Sequence, residues 1–263
     1  MQRLIGGAVV GTAALGAWAV SERQRLRTIP RLPSVAEGLD AVVPPPASGR
    51  EETSPLRVVA LGDSVMSGVG AGSVTASVPF VLATRVAEAL DTPVRIRSLG
   101  RSGARVADVV AEQVPRLEEG EAPDVVVVSV GANDTTHLTP LARFAADLRT
   151  VIEATRASGA PIVVTGIPEF RSLAVLSTPL RYAAFCYGER VHGVQQQVTD
   201  AEPGAFFVDV KARVSEAFLR NPDLLAEDGF HPSPAGCACL ADALAPAVID
   251  ALQSPLTSLA EAS

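Results

Sequence analysis

The sequence predicts a three-layer α/β domain on a five-stranded parallel sheet, and three observations carry that prediction. Short β-branched runs alternate with longer helical patterns from residue 57 to residue 252. The central run, VVVVSV at 125–130, is apolar on both faces, as a parallel strand covered by helices on each side must be. With 263 residues, 48% hydrophobic and 19% charged, the chain can bury a full core, so one catalytic-size domain with appendages is expected.

In chain order, residues 1–27 read as a signal peptide or membrane anchor with a basic flank. Leu4 to Val20 is uncharged, follows Arg3 and ends in Ala17-Trp18-Ala19, an A-x-A-like cleavage site. A buried core helix is the weaker reading, because a polar, proline-rich stretch separates this run from the rest. Arg23, Arg25 and Arg27 pull the downstream side toward the cytoplasm. An exported or membrane-anchored, extracytoplasmic domain is preferred, and a cytoplasm-facing anchor is the alternative. Residues 28–56 hold Pro30, Pro33, Pro44-Pro45-Pro46 and Pro55 and have a linker's composition. A chain begun near Ser54 is therefore expected to fold and work alone.

The domain is expected over 57–255, with 256–263 as a tail. Strands are predicted at 57–61, 94–98, 125–130, 162–166 and 206–209. Helices are predicted near 80–90, 105–117, 140–158, 180–200 and 234–252. The last helix has a marked start, Ser233 as cap and Pro234 at the first helical position. The segment 167–190 reads equally as a helix packed on the sheet or as one wall of an apolar pocket, through Phe170, Leu173, Leu176, Tyr182 and Phe185.

Net charge is −7 with no basic cluster in the folded part, which argues against a nucleic-acid partner. Cys186, Cys237 and Cys239 form neither a disulfide framework nor a zinc spacing. They read as small buried thiols, with a bridge from Cys186 to one of the others open if the domain is exported. With three histidines and no H-x-H or D-x-H pair, no metal is expected.

In open parallel sheets ligands bind beyond the carboxyl ends of the strands. After the first strand come Gly62-Asp63-Ser64, after the second Gly100-Arg101-Ser102-Gly103, and after the third Gly131-Ala132-Asn133-Asp134. Past the fifth come Asp228-Gly229-Phe230-His231. A serine hydroxyl is a weak nucleophile until a base takes its proton, and a neutral imidazole suits that task. His231 can be the base, and Asp228 can hold the far ring nitrogen in the productive tautomer. The amides of Ser64 and Gly103 and the side chain of Asn133 can receive an oxyanion. Gly103 also reads as a turn glycine, Asn133 and Asp134 as an Asx-type turn, and Asp63 and Asp134 as loop braces. His137 and His192 lack an acid at the D-x-x-H spacing and read as surface or helix residues.

These blocks resemble the SGNH subgroup of GDSL-type serine hydrolases. Ser64 stands in G-D-S-V against the usual G-D-S-L, and Gly103 in S-L-G-R-S-G-A, with Ser98 where Asn is frequent. Asn133 lies in G-A-N-D, and Asp228/His231 reproduce D-x-x-H. The resemblance spans roughly residues 57–252. It implies a flavodoxin-like sheet of order 2-1-3-4-5, no cofactor, and hydrolysis of small-molecule carboxylic esters through a covalent acyl-enzyme. An acyltransferase or carbohydrate deacetylase would use the same site, and a non-catalytic binding domain would keep only the fold.

Overall fold

The computed structural model describes residues 28–46 and 54–254 except Ala174, together with Ser21 and Gln24, so the expected signal or anchor at 1–27, those two residues apart, and the expected tail at 256–263 lie outside the described residues. The sheet has six strands: β1 Asp40–Val43, β2 Leu56–Gly62, β3 Val94–Ser98, β4 Val125–Ser129, β5 Ile162–Thr165 and β6 Ala205–Val208. Their spatial order is β1-β3-β2-β4-β5-β6. The strands β2 to β6 are the five expected ones, mutually parallel and in the expected order.

The sixth strand corrects the sequence reading. β1 pairs antiparallel with β3, from Asp40 opposite Arg97 to Val43 opposite Val94. It lies inside the stretch expected to be a linker. Ala36 and Val43 are buried there, and the Ala36 amide donates to the Ser67 carbonyl at 2.9 Å. The strand is short, runs into Pro44-Pro45-Pro46 and is buried on one face only, as an edge strand can be, so its composition resembles a linker's. Val43 is buried whereas Val42 is 56% exposed.

Helices cover both faces. They are α1 (Val78–Leu90), α2 (residues 106–118), α3 (Ala132–Thr136), α4 (Leu141–Ala157), α5 (Thr178–Asp200), α6 (Val210–Arg220) and α7 (Pro234–Gln253). Alternation along β2 and β4 divides the core. Val58, Ala60, Val125 and Val127 face α1 and α7, whereas Val59, Leu61, Val126 and Val128 face the layer that holds Phe144, Leu148 and Val191. Fully burying each such side chain contributes about 1.5–3 kcal/mol. α7 starts as its sequence predicts, with the Ser233 hydroxyl accepting from the Gly236 amide. By length and composition it is the one described helix apolar enough to cross a membrane. Its buried face, including Cys237, Leu244 and Val248, packs in the core with α1. α3 and α6 were not foreseen.

Candidate active site

The four strand-end loops meet at the carboxyl edge of the sheet. β2 ends at Gly62, whose φ of 134° suits glycine, and a Cβ there would collide with the Ser129 carbonyl of β4. The chain then turns sharply. The Asp63 amide donates to Ser129, the Ser67 amide to Asp63, and the Val69 amide to Ser64, each at 3.0 Å. The Val65 amide donates to the Asp63 carboxylate at 3.1 Å. Ser64 sits at this turn, largely buried. Ser98, where the resemblance leads one to expect Asn, is buried and donates its hydroxyl to the Met66 carbonyl at 2.7 Å. It therefore ties the second loop to the serine turn.

Asp228 and His231 form a closed local unit. One carboxylate oxygen accepts from the backbone amides of Phe230 and His231, both at 2.9 Å. The other oxygen lies 2.5 Å from His231 Nδ1. A carboxylate only accepts, so Nδ1 carries the proton and Nε2 is left as the ring's acceptor. Burial pushes the Asp228 carboxyl up, but the His231 ring, the two amides and the imidazole charge outweigh it and hold the group below its usual value. The Phe230 ring meets the imidazole edge-on, with centroids 5.0 Å apart.

Gly103 has φ of 81° and faces open space. Among the described residues, neither its amide nor that of Ser64 has a protein acceptor. Asn133 lies in α3, and its side-chain amide donates to the Ala104 carbonyl at 3.0 Å. That bond joins the second and third loops and spends one of the two amide hydrogens. It is not an Asx turn. Asp134 does brace, since its carboxylate accepts from the Val106 amide at 3.1 Å at the head of α2. Asp63 and Asp134 are both buried acids. Burial, then the neighbouring Asp134 charge, raise Asp63 to about 7 against the opposing pull of the Val65 amide, and burial raises Asp134 as well.

Beside this edge opens an apolar cavity with about 750 Å³ of empty volume, its mouth included. Asp63, Val65 and His231 stand on its wall with Ile167, Phe170, Leu173, Val214, Phe218 and Leu240. The segment 167–190 thus divides. Phe170 and Leu173 line the cavity, while Tyr182 is 68% exposed and Phe185 lies under the Arg171 guanidinium at 4.9 Å. α6, unpredicted, supplies Val214 and Phe218. Glu169, also on the wall, pairs with Arg171.

Other features were beyond sequence reasoning. His192 is buried and meets the Asp209 carboxylate at 3.1 Å, an acid 17 residues away that no local spacing would indicate. The buried Gln195 amide donates to Val130 and Thr165 carbonyls and accepts from the Ile167 amide, joining the ends of β4 and β5. Buried Gln113 does the equivalent at Gly62. His137 is exposed, with Nδ1 against the Asn133 carbonyl. The three cysteines are unbridged, and of the expected buried thiols only Cys237 is buried, since Cys239 is half-buried and Cys186 is exposed on α5. Burial raises the Cys237 thiol to about 12.

A doubly covered, mainly parallel sheet with these loops on its carboxyl edge is the architecture of the SGNH hydrolases. The chain belongs to the GDSL-like lipase/acylhydrolase family, whose model matches residues 60–239 and so spans all four loops. It is 30% identical over 266 residues to a GDSL-like esterase of Mycobacterium tuberculosis, covering 95% of this chain and 82% of that one. The crystal structure of TesA matches with a TM-score of 0.61 at 22% identity, over 74% of this chain and 99% of the other. A protein of Slackia heliotrinireducens assigned to the SGNH hydrolases matches with a TM-score of 0.56 at 25% identity, over 74% of this chain and 100% of the other. Family membership makes this protein a hydrolase of ester bonds.

Proposed function

We propose that the protein is a serine esterase that cleaves carboxylic esters of aliphatic acids through a covalent acyl-enzyme. Ser64 is the nucleophile. Nε2 of His231 takes the Ser64 proton as Oγ bonds to the ester carbonyl carbon, and Asp228 stabilises the imidazolium that results. The carbonyl oxygen, now an oxyanion, is received by the amides of Ser64 and Gly103 and by the free hydrogen of the Asn133 amide. As the tetrahedral species collapses, the ester C–O bond breaks and His231 returns its proton to the departing alcohol. Water then repeats the sequence on the acyl-enzyme, giving the acid and regenerating Ser64. The observation that carries this reading is the 2.5 Å contact between Asp228 and His231 Nδ1, which turns Nε2 into an acceptor on the wall shared with the neighbours of Ser64.

The cavity favours an acyl group longer than acetate, because its wall beyond His231 is built mainly of Ile, Phe, Leu and Val side chains. Each methylene buried there is worth about 0.8 kcal/mol, or about fourfold in kcat/KM. The N-terminal apolar run is read as a membrane signal that delivers the domain to the outer face of the membrane.

The test is a fluorophosphonate probe on the full chain and on Ser64→Ala, with hydrolysis of p-nitrophenyl esters from acetate to dodecanoate. Labelling that disappears in Ser64→Ala, with kcat/KM rising from acetate through medium chains, is the expected result. Labelling retained in a folded Ser64→Ala protein would sink the nucleophile assignment. A preference for acetate would sink the acyl-chain reading alone.

A further inference from the structure

Helix α2 has an unusual interior. It opens as α-helix over Val106–Asp108, widens to a π-turn over Val109–Gln113, and closes as a 3-10 turn over Val114–Glu118. The wide turn precedes Pro115, whose ring would clash with the carbonyl four residues back in an α-helix. Val106, Val109 and Leu117 are buried on the face toward the sheet, and Gln113, 2% exposed, stands in the same row. A polar side chain in that row demands partners, and it finds both on one residue. The Gly62 amide donates to its Oε1 at 2.7 Å, and its Nε2 donates to the Gly62 carbonyl at 2.8 Å.

Gly62 is the last residue of β2, two before Ser64. Its peptide groups point away from β4, toward the side where β3 has ended. The β2–β3 register stops at Ala60 opposite Ser98, and only the Arg101 amide, at 3.0 Å, reaches Gly62 from the outgoing loop. The buried Gly62 amide would otherwise lack an acceptor. We propose that Gln113 is a positioning residue for the nucleophile turn, its amide standing in for the peptide group that β3 no longer supplies. Because α2 is also held to Asp134 through the Val106 amide, the clamp sets the Ser64 turn in register with the loop that carries Asn133. The inference rests on the reading of Ser64 as nucleophile.

The chemistry of the clamp gives a test that a purely structural role would not pass. It needs one donor and one acceptor on the same side chain. A neutral carboxylic acid offers both, whereas a carboxylate offers no donor and faces the Gly62 carbonyl with negative charge. The variants Gln113→Glu and Gln113→Met are made in the full chain, and kcat and KM for p-nitrophenyl hexanoate are taken as ratios to wild type across pH. The charged groups on α2 and the loops it meets include Asp63, Asp134, the Arg105–Asp108 pair, the Arg101–Glu112 pair and the Arg116–Glu119 pair. They are common to all the proteins, so the ratio isolates position 113.

For Gln113→Glu, the kcat ratio should rise at least about tenfold from about pH 8.5 to about pH 5.5, with KM within about threefold. Gln113→Met should lose kcat about tenfold to a hundredfold at every pH, with no recovery in acid. A flat ratio for the Glu variant overturns the proposal, whether or not the Met variant folds. If wild type turns over no ester, the esterase reading fails. Exchange of the Gly62 amide hydrogen then decides the clamp, since protection unchanged in both variants would overturn it.

Discussion

Asp228 engages His231 twice, at the ring Nδ1 (2.5 Å) and at the backbone amide (2.9 Å), so one side chain fixes both the imidazole and the turn that carries it. Asp228→Asn cannot keep both. If its amide nitrogen faces the ring, Nδ1 becomes the acceptor and Nε2 carries the proton, which leaves no acceptor for the proton transfer proposed from Ser64. If its oxygen faces the ring, the nitrogen points at the two amides that Asp228 now satisfies. The variant should lose kcat by about 10³–10⁴ with KM little changed. His231→Ala should lose at least as much. Steady-state kinetics at several pH values checks this, and mild, equal losses in the two variants would show the pair is not catalytic.

Asp63 gives a stability signature of known sign. Burial raises its folded pKa to about 7 from the ordinary carboxyl value of 3.8. Between those values the unfolded chain releases a proton that the folded protein keeps. Wild type therefore loses stability on this account as pH rises from about 4 to about 7, and no further above that. Asp63→Asn retains an oxygen for the Val65 amide but has no proton to lose. Its melting temperature should gain on wild type across that window and then run parallel. Thermal melts at three pH values decide the matter. A variant that loses ground as pH rises would mean Asp63 is held ionised.

β1 changes what a truncated chain should do. A protein begun near Ser54 lacks the partner of β3 and loses burial around Val43 and Ala36. Losing one buried valine costs about 1.5–3 kcal/mol, and β3 becomes an exposed edge open to pairing between molecules. The chain begun at Ser54 should unfold at lower urea than one begun at Thr28, and should self-associate. Equal urea midpoints would return this stretch to the status of a linker.

The parallel sheet was legible because its central strands β4 and β5 are β-branched runs and the ends of β2, β3 and β4 lead into glycine with polar residues. Asp228 and His231 were legible because their contact is local, closing over three residues. What escaped is long-range. β1 depends on Val43 meeting Val94 across the sheet, and His192 depends on Asp209 from another element. Gln113 gives a fainter sign, an amide in the row of Val106, Val109 and Leu117, but no sequence pattern says that Gly62 is its partner. Likewise the cavity depends on α6, where the unforeseen Val214 and Phe218 reach the wall behind His231.

Under the proposed mechanism Asn133 carries a catalytic part and a structural part that one variant can separate. One amide hydrogen is held by the Ala104 carbonyl at 3.0 Å, which aims the other. Removing the side chain removes the proposed oxyanion donor and leaves Ala104, which is buried, without that partner. The first loss is felt only when charge develops on the substrate oxygen, so it falls on kcat, by about 10²–10³, while KM stays within a few-fold. The second is felt in folding, at about 1 kcal/mol. Asn133→Ala should therefore show both a large fall in kcat and a small drop in urea midpoint. Asn133→Asp should show a comparable fall in kcat, because a carboxylate offers no donor and repels the oxyanion. If Asn133→Ala unfolds earlier yet turns over at the wild-type rate, the bond to Ala104 is the whole function of this residue, and the oxyanion is met by the Ser64 and Gly103 amides alone.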